Sequence, residues 1–286
     1  MALVVALQKA IDYMEKHMLE PVTIEDIARH ANMSPFHFQR TFMILTDLSV
    51  GDYLRRRRLT LAAQELCETG TKVIDLAYKY GYDTPESFAK AFRKQHGVTP
   101  SEARKGLGGL QAYNRLTIQV NLKGAEPMRY RIAEREAFQV VGVKREFDCG
   151  GEEMVVPGIP SFWGEAHQSG TVRRMEGSMN GQIKGMLGIT DNYNAARNTM
   201  DYWIAAECAG DVPEGLAAME IPASKWVAFE VKGPIPDAMI RTWKRIYSEW
   251  FPSSGYEPAE AASLEVYLDS DLYGPDAMNE IWVAIK

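Results

Sequence analysis

The chain has few of the residues that build covalent or metal scaffolds. Its three cysteines, Cys67, Cys149 and Cys208, are spread over 286 residues. They are odd in number, with no CxxC and no Cys/His pair at metal-ligand spacing. A disulfide framework and a zinc site are both excluded as organising devices, and free thiols in a reducing compartment are expected. There are five histidines, and His167 is the only one after His96; serine, histidine and acid do not gather at any hydrolase motif. No glycine-rich phosphate loop follows a strand pattern. No apolar run approaches the roughly 20 residues that cross a bilayer. The opening stretch MALVVALQKAIDYMEKHM carries Asp12, Glu15 and Lys16 and lacks both a basic start and a long apolar segment, so it does not read as a signal peptide. A cytoplasmic protein without cofactor, metal or catalytic residues is expected.

What is present is a repeat. One line runs Ile24, Asp26, Ile27, Ala28, Asn32, Ser34, Phe38, Arg40, Phe42, Ser49; a second runs Val73, Asp75, Leu76, Ala77, Gly81, Thr84, Phe88, Lys90, Phe92, Thr99. The offset is 49 at the start (24 to 73) and 50 from the polar cap onward (34 to 84). Internal repetition describes one supersecondary unit used twice. Here the unit reads as helix, short turn, helix, the form whose second helix can enter a DNA major groove.

Around this repeat the helices follow from caps and apolar stripes. Leu3, Leu7, Ile11 and Met14 place a helix over 3–18, and Pro21 ends it. Thr23 caps the next helix, with Glu25 and Asp26 in its first turn. Asn32-Met33 forms the turn, Ser34 caps, and Pro35 enters where a missing N–H costs nothing. Phe38, Phe42 and Leu45 face the core, which leaves Phe36, His37, Gln39, Arg40 and Met43 outward. Arg and Gln at the start of an outward helix face suit guanine and adenine edges; the plain alternative is an ordinary solvated face. Residues 51–67 form a long helix with the stripe Leu59, Ala62, Ala63 and Leu66, ended by Gly70 in the left-handed region. Arg55, Arg56, Arg57 and Arg58 fan around that helix, so they cannot all meet one strand. Arg55 and Arg56 are assigned to phosphate, and one of the four is expected to pair internally, with Asp75. In the second unit Asp83 or Thr84 caps and Pro85 enters. Its outward face holds Pro85, Glu86, Ser87, Lys90 and Arg93, a set better suited to positioning than to base reading. Pro100 to Arg104 closes the region.

The charge is divided. Residues 1–108 hold 15 basic against 13 acidic side chains, net +2, and residues 109–286 hold 17 against 25, net −8. Only the first part suits a polyanion. A glycine-rich linker falls at 106–112, separating a domain at 1–105 from one at 113–286. In the second domain the period changes to two. Two strands flank Glu136-Ala137. Phe162, Trp163 and Ala166 mark a helix. Strands follow at 185–190, 199–208 and 225–232, then a helix at 236–250 and strands at 263–269 and 279–285. This is an α+β domain with a mainly antiparallel sheet. Glu265 and Tyr267 share one strand face, and Glu280 and Trp282 share another. An acid among aromatics suits an amphipathic cation; otherwise these acids face solvent or pair with arginines.

The stretches IEDIARHANMSPFHFQRTF, DYLRRRRLTLAAQEL and VIDLAYKYGYDTPESFAKAFRKQHGVTPSEAR resemble the DNA-binding domain of AraC-family transcription regulators. The resemblance implies two recognition helices in successive major grooves. By motif position Phe36, Gln39 and Arg40 form the first reading set, and Glu86, Ser87 and Lys90 the second. Asp47 stands where the family usually has Gly, and Val50 where it usually has Pro. The stretches RYRIAEREAFQVVGVKREF, IPSFW, TWKRIYSEWFPSSGYEP, LEVYLD and EIWVAIK resemble the GyrI-like effector-binding domain. That resemblance implies a pseudo-twofold architecture with a ligand crevice between two similar halves. It places Glu265 and Tyr267 in the pocket, adds Glu280, and suggests Trp163 and Trp203 as walls. The expected partners are double-stranded DNA, a small-molecule effector and RNA polymerase, with no membrane. Two other readings of the second domain are a hydrolase of small molecules and a protein-interaction or inhibitor module.

Overall fold

The computed structural model describes residues 2–118, 126–148, 156–194, 197, 199–259, 261–269 and 271–286. Cys149 lies outside the described residues. The chain divides into a mainly helical unit, Ala2–Gln39 with Leu48–Val120, and a sheet unit, Asn121–Lys286, with which Arg40–Asp47 groups. The helices are α1 (Ala2–Lys16), α2 (Ile24–His30), α3 (Pro35–Thr46), α4 (Val50–Glu68), α5 (Val73–Lys79), α6 (Pro85–His96) and α7 (Pro100–Arg104). Their starts are set by side chains that accept otherwise orphaned backbone N–H groups. Thr23 accepts from Asp26, Ser49 from Asp52, Thr84 from Ser87, and Thr99 with Glu102 forms a reciprocal pair. Thr84, rather than Asp83, is thus the cap of α6.

Phe38, Phe42, Phe88 and Phe92 are fully buried, each contributing roughly 1.5–3 kcal/mol through lost apolar exposure. Phe88 and Phe92 join Leu59, Ala62, Ala63, Leu66, Leu76 and Ala77 in one core. Asp47 has φ +55°, a left-handed conformation that glycine takes freely and Asp tolerates through its short polar side chain. Val50 is the first residue of α4, where proline is merely favoured. Both residues therefore suit the backbone positions that they occupy. Gly70 does not end α4 as expected: the cap is Thr69, in extended geometry, with its hydroxyl on Glu65 O at 2.8 Å.

The four arginines divide their work. Arg57 grips Glu15 with Nε and Nη2, each at 2.8 Å, and Arg58 donates from Nε to Met18 O at 2.7 Å. Arg55 pairs with Asp52, Nε to Oδ1 at 3.2 Å. The internal partner is thus Glu15 on α1, not Asp75, because residue 57 faces α1 while Asp75 lies in the first turn of α5.

The sheet unit holds β1 (Tyr130–Arg135), β2 (Phe138–Asp148), α8 (Ile159–Gln168), α9 (Thr171–Ser178), β3 (Met186–Asn194), β4 (Thr199–Glu207), β5 (Ala217–Ile221), β6 (Ser224–Lys232), α10 (Asp237–Arg245) with a π-helical turn (Ile246–Trp250), α11 (Phe251–Ser254), β7 (Ser263–Tyr267) and β8 (Met278–Ile285). β5 and α9 were not expected. β5 reads AAMEI, with little intrinsic strand preference, and exists because β2 pairs with it from Phe138↔Ile221 to Gly142↔Ala217.

The described strands form one antiparallel sheet in the order β1-β6-β8-β7-β3-β4-β2-β5. Exchanging β1 with β5, β2 with β6, β3 with β7 and β4 with β8 reverses this order onto itself. The domain therefore has two similar halves meeting at β3–β7. Each half's leading strand pairs in the other half. β1 and β2 stand six strands apart, which in a flat sheet means about 29 Å at ~4.8 Å per strand. Only Glu136 and Ala137 join them, a reach of about 10 Å. The sheet must therefore curl until its ends approach. Arg135 of β1 accordingly meets Glu207 of β4, Nη2 to Oε1 at 2.7 Å, with both side chains buried.

Burial alone would raise the Glu15 carboxyl, but hydrogen bonds from Arg57 and Tyr53 and the charge of Arg57 outweigh it and hold the group below the usual carboxylate range. A lowered carboxylate contributes stability that is present above its unfolded value and lost as pH falls through its folded one. Glu15→Gln should cost about 2–3 kcal/mol at pH 7, less than for a fully buried pair because solvent still reaches both groups. Denaturant midpoints should converge between variant and parent as pH drops below roughly 4.3.

Candidate functional site

Helices α3 and α6 are the second helices of the two repeats. On α6, Glu86, Ser87 and Lys90 are exposed at its first turns and Pro85 is half-buried. On α3, Phe36, Gln39 and Arg40 are half-buried, and His37 is buried at 4% exposure. The outward face expected for α3 thus does not include an exposed His37. Arg55 and Arg56 are half-buried on α4. Arg56 lies over the ring of Tyr113, 4.9 Å from its centroid.

In the sheet unit, strand alternation separates the six predicted ligand residues into two groups. Leu264 and Val266 of β7 lie in the apolar cluster that contains Trp203, Trp226 and Trp282. Tyr267 packs instead with Trp163 and Tyr202 in the cluster under α8 and α9. Glu265 shares the Tyr267 face, because successive residues of a strand point to opposite sides. Trp163, Glu265 and Tyr267 therefore stand together on the helix-covered face. Trp203, Glu280 and Trp282 occupy the other face and cannot line the same crevice.

On the helix-covered face Trp243 Nε1 donates to Glu265 Oε1 at 2.8 Å, and the Tyr267 hydroxyl donates to Oε2 at 2.8 Å. Trp163 Nε1 donates to the Tyr202 hydroxyl at 3.1 Å, and the Trp163 and Tyr267 rings meet edge to face at 5.2 Å. Trp163 and Trp243 sit on α8 and α10, the helices that follow the equivalent strands β2 and β6. Their indoles therefore approach the central β3–β7 pair from its two sides. Burial, followed by the charge of Glu265, pushes the Tyr202 and Tyr267 hydroxyls far above the ordinary phenol range. Both stay protonated, so Tyr267 remains a donor to the carboxylate at any physiological pH.

The second group differs in electrostatics. Glu280 accepts from Arg131 Nη2 at 2.8 Å and from Trp282 Nε1 at 2.7 Å, and Arg131 lies 5.2 Å over the Trp282 ring. Lys144 Nζ lies 5.8 Å from the Trp203 ring and pairs with Asp201 at 2.8 Å. That face already supplies its own cations. The hydrogen bonds to Glu265 come from neutral donors, which satisfy its lone pairs without cancelling its charge. Of the two acids, Glu280 is the one bonded to an arginine; the nearest cation on the Glu265 side is Arg40, over the Trp243 ring at 4.2 Å from its centroid.

Tyr202, Trp243 and Gly188 belong to this site and were missed. Trp203 was chosen over its neighbour Tyr202, which is an error of one residue in strand parity. The register of β3–β4, with Thr190 opposite Tyr202 and Ile189 opposite Trp203, corrects it. Gly188 lies directly across from Glu265, and a Cβ there would fall 2.2 Å from the Tyr202 hydroxyl. Its missing side chain is what admits Tyr202 to the network. Among the described residues no group of acids, histidines or cysteines could hold a metal ion, and no helix is long and apolar enough to cross a membrane.

Comparison with known proteins gives matches to both units. Residues 131–285 match the integron-associated effector binding protein family (Cass2). Residues 27–106 match a helix-turn-helix domain family. Regulatory protein SoxS of Escherichia coli is 37% identical over 101 residues, covering 35% of this chain and 94% of SoxS. The right origin-binding protein of E. coli is 28% identical over 144 residues, 50% of this chain and 48% of that protein. A crystal structure of a bacterial transcription regulation protein from Staphylococcus aureus superposes with a TM-score of 0.49 at 22% identity, over 56% of this chain and 99% of that one.

Gly188→Ala should displace the Tyr202 hydroxyl and break its bond from Trp163. The expected outcome is a loss of about 1–3 kcal/mol from overpacking, together with a shifted indole N–H resonance for Trp163 and an unchanged one for Trp226. Chemical denaturation and two-dimensional NMR of the indole region measure both.

Proposed function

Because the chain belongs to the AraC-type helix-turn-helix transcription regulators and carries a C-terminal effector-binding domain of the integron-associated, GyrI-like kind, we propose that its DNA affinity is set by an amphipathic cation held at Glu265. The observation that supports this reading is the Glu265 carboxylate, bonded by Trp243 and Tyr267 and flanked by aromatic rings. An aromatic wall attracts a cation through its ring face. A carboxylate already solvated by neutral donors needs no reorganisation to receive one. Trp163, Tyr202 and Trp243 complete the wall, with Gly188 leaving room for the Tyr202 hydroxyl.

On the DNA side, Phe36, Gln39 and Arg40 of α3 form the first reading set, and Glu86, Ser87 and Lys90 of α6 the second. Pro85, Arg55 and Arg56 serve positioning and phosphate contact. RNA polymerase is the protein partner through which a DNA-bound regulator acts. The sheet unit acts as a sensor and not as an enzyme, in line with the effector-binding family that it matches. Ligand control follows from linkage: the effector must bind the DNA-competent and DNA-incompetent states with different affinity.

Thermal unfolding of the full chain against a panel of apolar cations, anions and neutral compounds tests the ligand class. A ligand at about 100 times its dissociation constant adds roughly 2.7 kcal/mol. A shift with cations that is lost in Glu265→Gln and retained in Glu280→Gln supports the assignment; a shift lost equally in both overturns it. Breakdown of the bound compound during incubation would instead favour a hydrolase. Arg40→Ala should cost about 1–3 kcal/mol on a selected DNA site and relax one base preference; an equal loss on random DNA would remove its reading role.

A further inference from the structure

Beyond α7 the chain stays with the helical unit as far as Leu116. Gln111 N–H donates to His96 Nδ1 at 3.1 Å, Tyr113 N–H to Thr60 Oγ1 at 3.0 Å, and Leu116 N–H to the Tyr53 hydroxyl at 3.3 Å. In return Arg57 Nη1 donates to Tyr113 O at 2.7 Å, and Arg115 pairs with Asp12. These three backbone amides belong to no helix or strand, yet each ends on a side chain of α4 or α6. The segment lies past residue 106, where the helix-turn-helix match stops.

One anchor depends on proton count. His96, the last residue of α6, is buried. Its Nε2 lies 3.3 Å from Leu59 O of α4, an atom that can only accept. Its Nδ1 meets the Gln111 amide, which can only donate. The neutral tautomer with hydrogen on Nε2 satisfies both; an imidazolium sets N–H against N–H. The Phe92 ring packs on the imidazole at 4.3 Å. The charged and titratable groups on the surrounding elements are Asp52, Tyr53, Arg55, Arg56, Arg57, Arg58, Glu65, Cys67 and Glu68 on α4, Glu86, Lys90, Arg93 and Lys94 on α6, Glu102 and Arg104 on α7, and Tyr113 and Arg115 in the segment itself. Among the described residues none forms an ion pair with His96 that would hold it charged.

We propose that Gln111–Leu116 is a strap clipped onto the helical unit by neutral His96, and that protonation of His96 opens the clip. Burial pushes the imidazole below its ordinary value, and the bond to Leu59 only partly offsets this. For a base depressed in the folded state, the clip is fully closed above the unfolded value of about 6.5 and weakens as pH falls toward the folded one. Gln95, beside His96, donates to Arg56 O at 3.1 Å and to Thr60 Oγ1 at 3.3 Å. Opening the clip therefore also loosens the seam between α4 and α6, the second reading helix, and makes DNA binding acid-sensitive.

Amide hydrogen exchange of the full-length chain, corrected for intrinsic exchange at each pH, reads the strap directly. At pH 7.5 the Gln111, Tyr113 and Leu116 amides should be protected. Below about 6.5, protection at Gln111 should fall first, roughly tenfold for each unit by which burial depresses His96. His96→Gln, whose amide offers the same acceptor and donor without titrating, should keep Gln111 protected through that range. Coil-like exchange at pH 7.5, or the same acid midpoint in His96→Gln, overturns the proposal. Imidazole nitrogen shifts of the unmodified chain give a check that needs no variant: hydrogen on Nε2 at pH 7.5 supports the clip, and hydrogen on Nδ1 overturns it.

Discussion

The sheet unit depends on a shortage of chain. Two residues, Glu136 and Ala137, must carry β1 to β2 across six strand positions, and Pro222 and Ala223 must do the same from β5 to β6. Such links cannot cross a flat sheet, so the sheet closes on itself. Closure brings Arg135 against Glu207 and packs Trp203, Trp226 and Trp282 into one apolar cluster. It also leaves the opposite face to the helices. The Glu265 carboxylate sits on that face, at the seam of β3 and β7, where the two halves meet.

Much of the helical unit could be read directly from the chain. Its helices are amphipathic, its caps are side chains of known preference, and the repeat announces itself at a fixed offset. Local rules settle nearly every boundary there. Gly70 was misread because a glycine near a helix end suggests a cap, whereas Thr69 satisfies Glu65 O before the chain reaches it. The sheet unit was harder for a physical reason. Strand identity depends on partners distant in sequence, so the Ala-rich β5 gave no local signal. Strand parity is unforgiving: choosing Trp203 over Tyr202 moved a proposed wall to the wrong side of the sheet. The acids and aromatics stand out in the sequence, but only the register divides them into one set around Glu265 and another around Glu280.

That division illustrates how charge is managed in this chain. Glu280, Glu207 and Glu15 each have an arginine, and Asp201 has a lysine. These pairs hold the fold and present little net field. Glu265 is hydrogen-bonded by an indole and a phenol instead. The arginine run of α4 shows the same economy: Arg57 and Arg58 are absorbed by α1 and the turn after it. A basic run in a sequence is therefore a poor count of the charges that a partner would meet.

The self-reversing strand order has a further implication. One half-chain alone would offer three mutually paired strands and a fourth with no place beside them, since each leading strand belongs to the opposite half. Two copies of such a half could satisfy each other only by exchanging those strands as an intertwined homodimer. Fusing the copies end to end would preserve every pairing while freeing the two halves to diverge. On that view the single acid at position 265, facing a glycine at its symmetry-related position 188, is a broken symmetry that only a covalently joined pair could maintain.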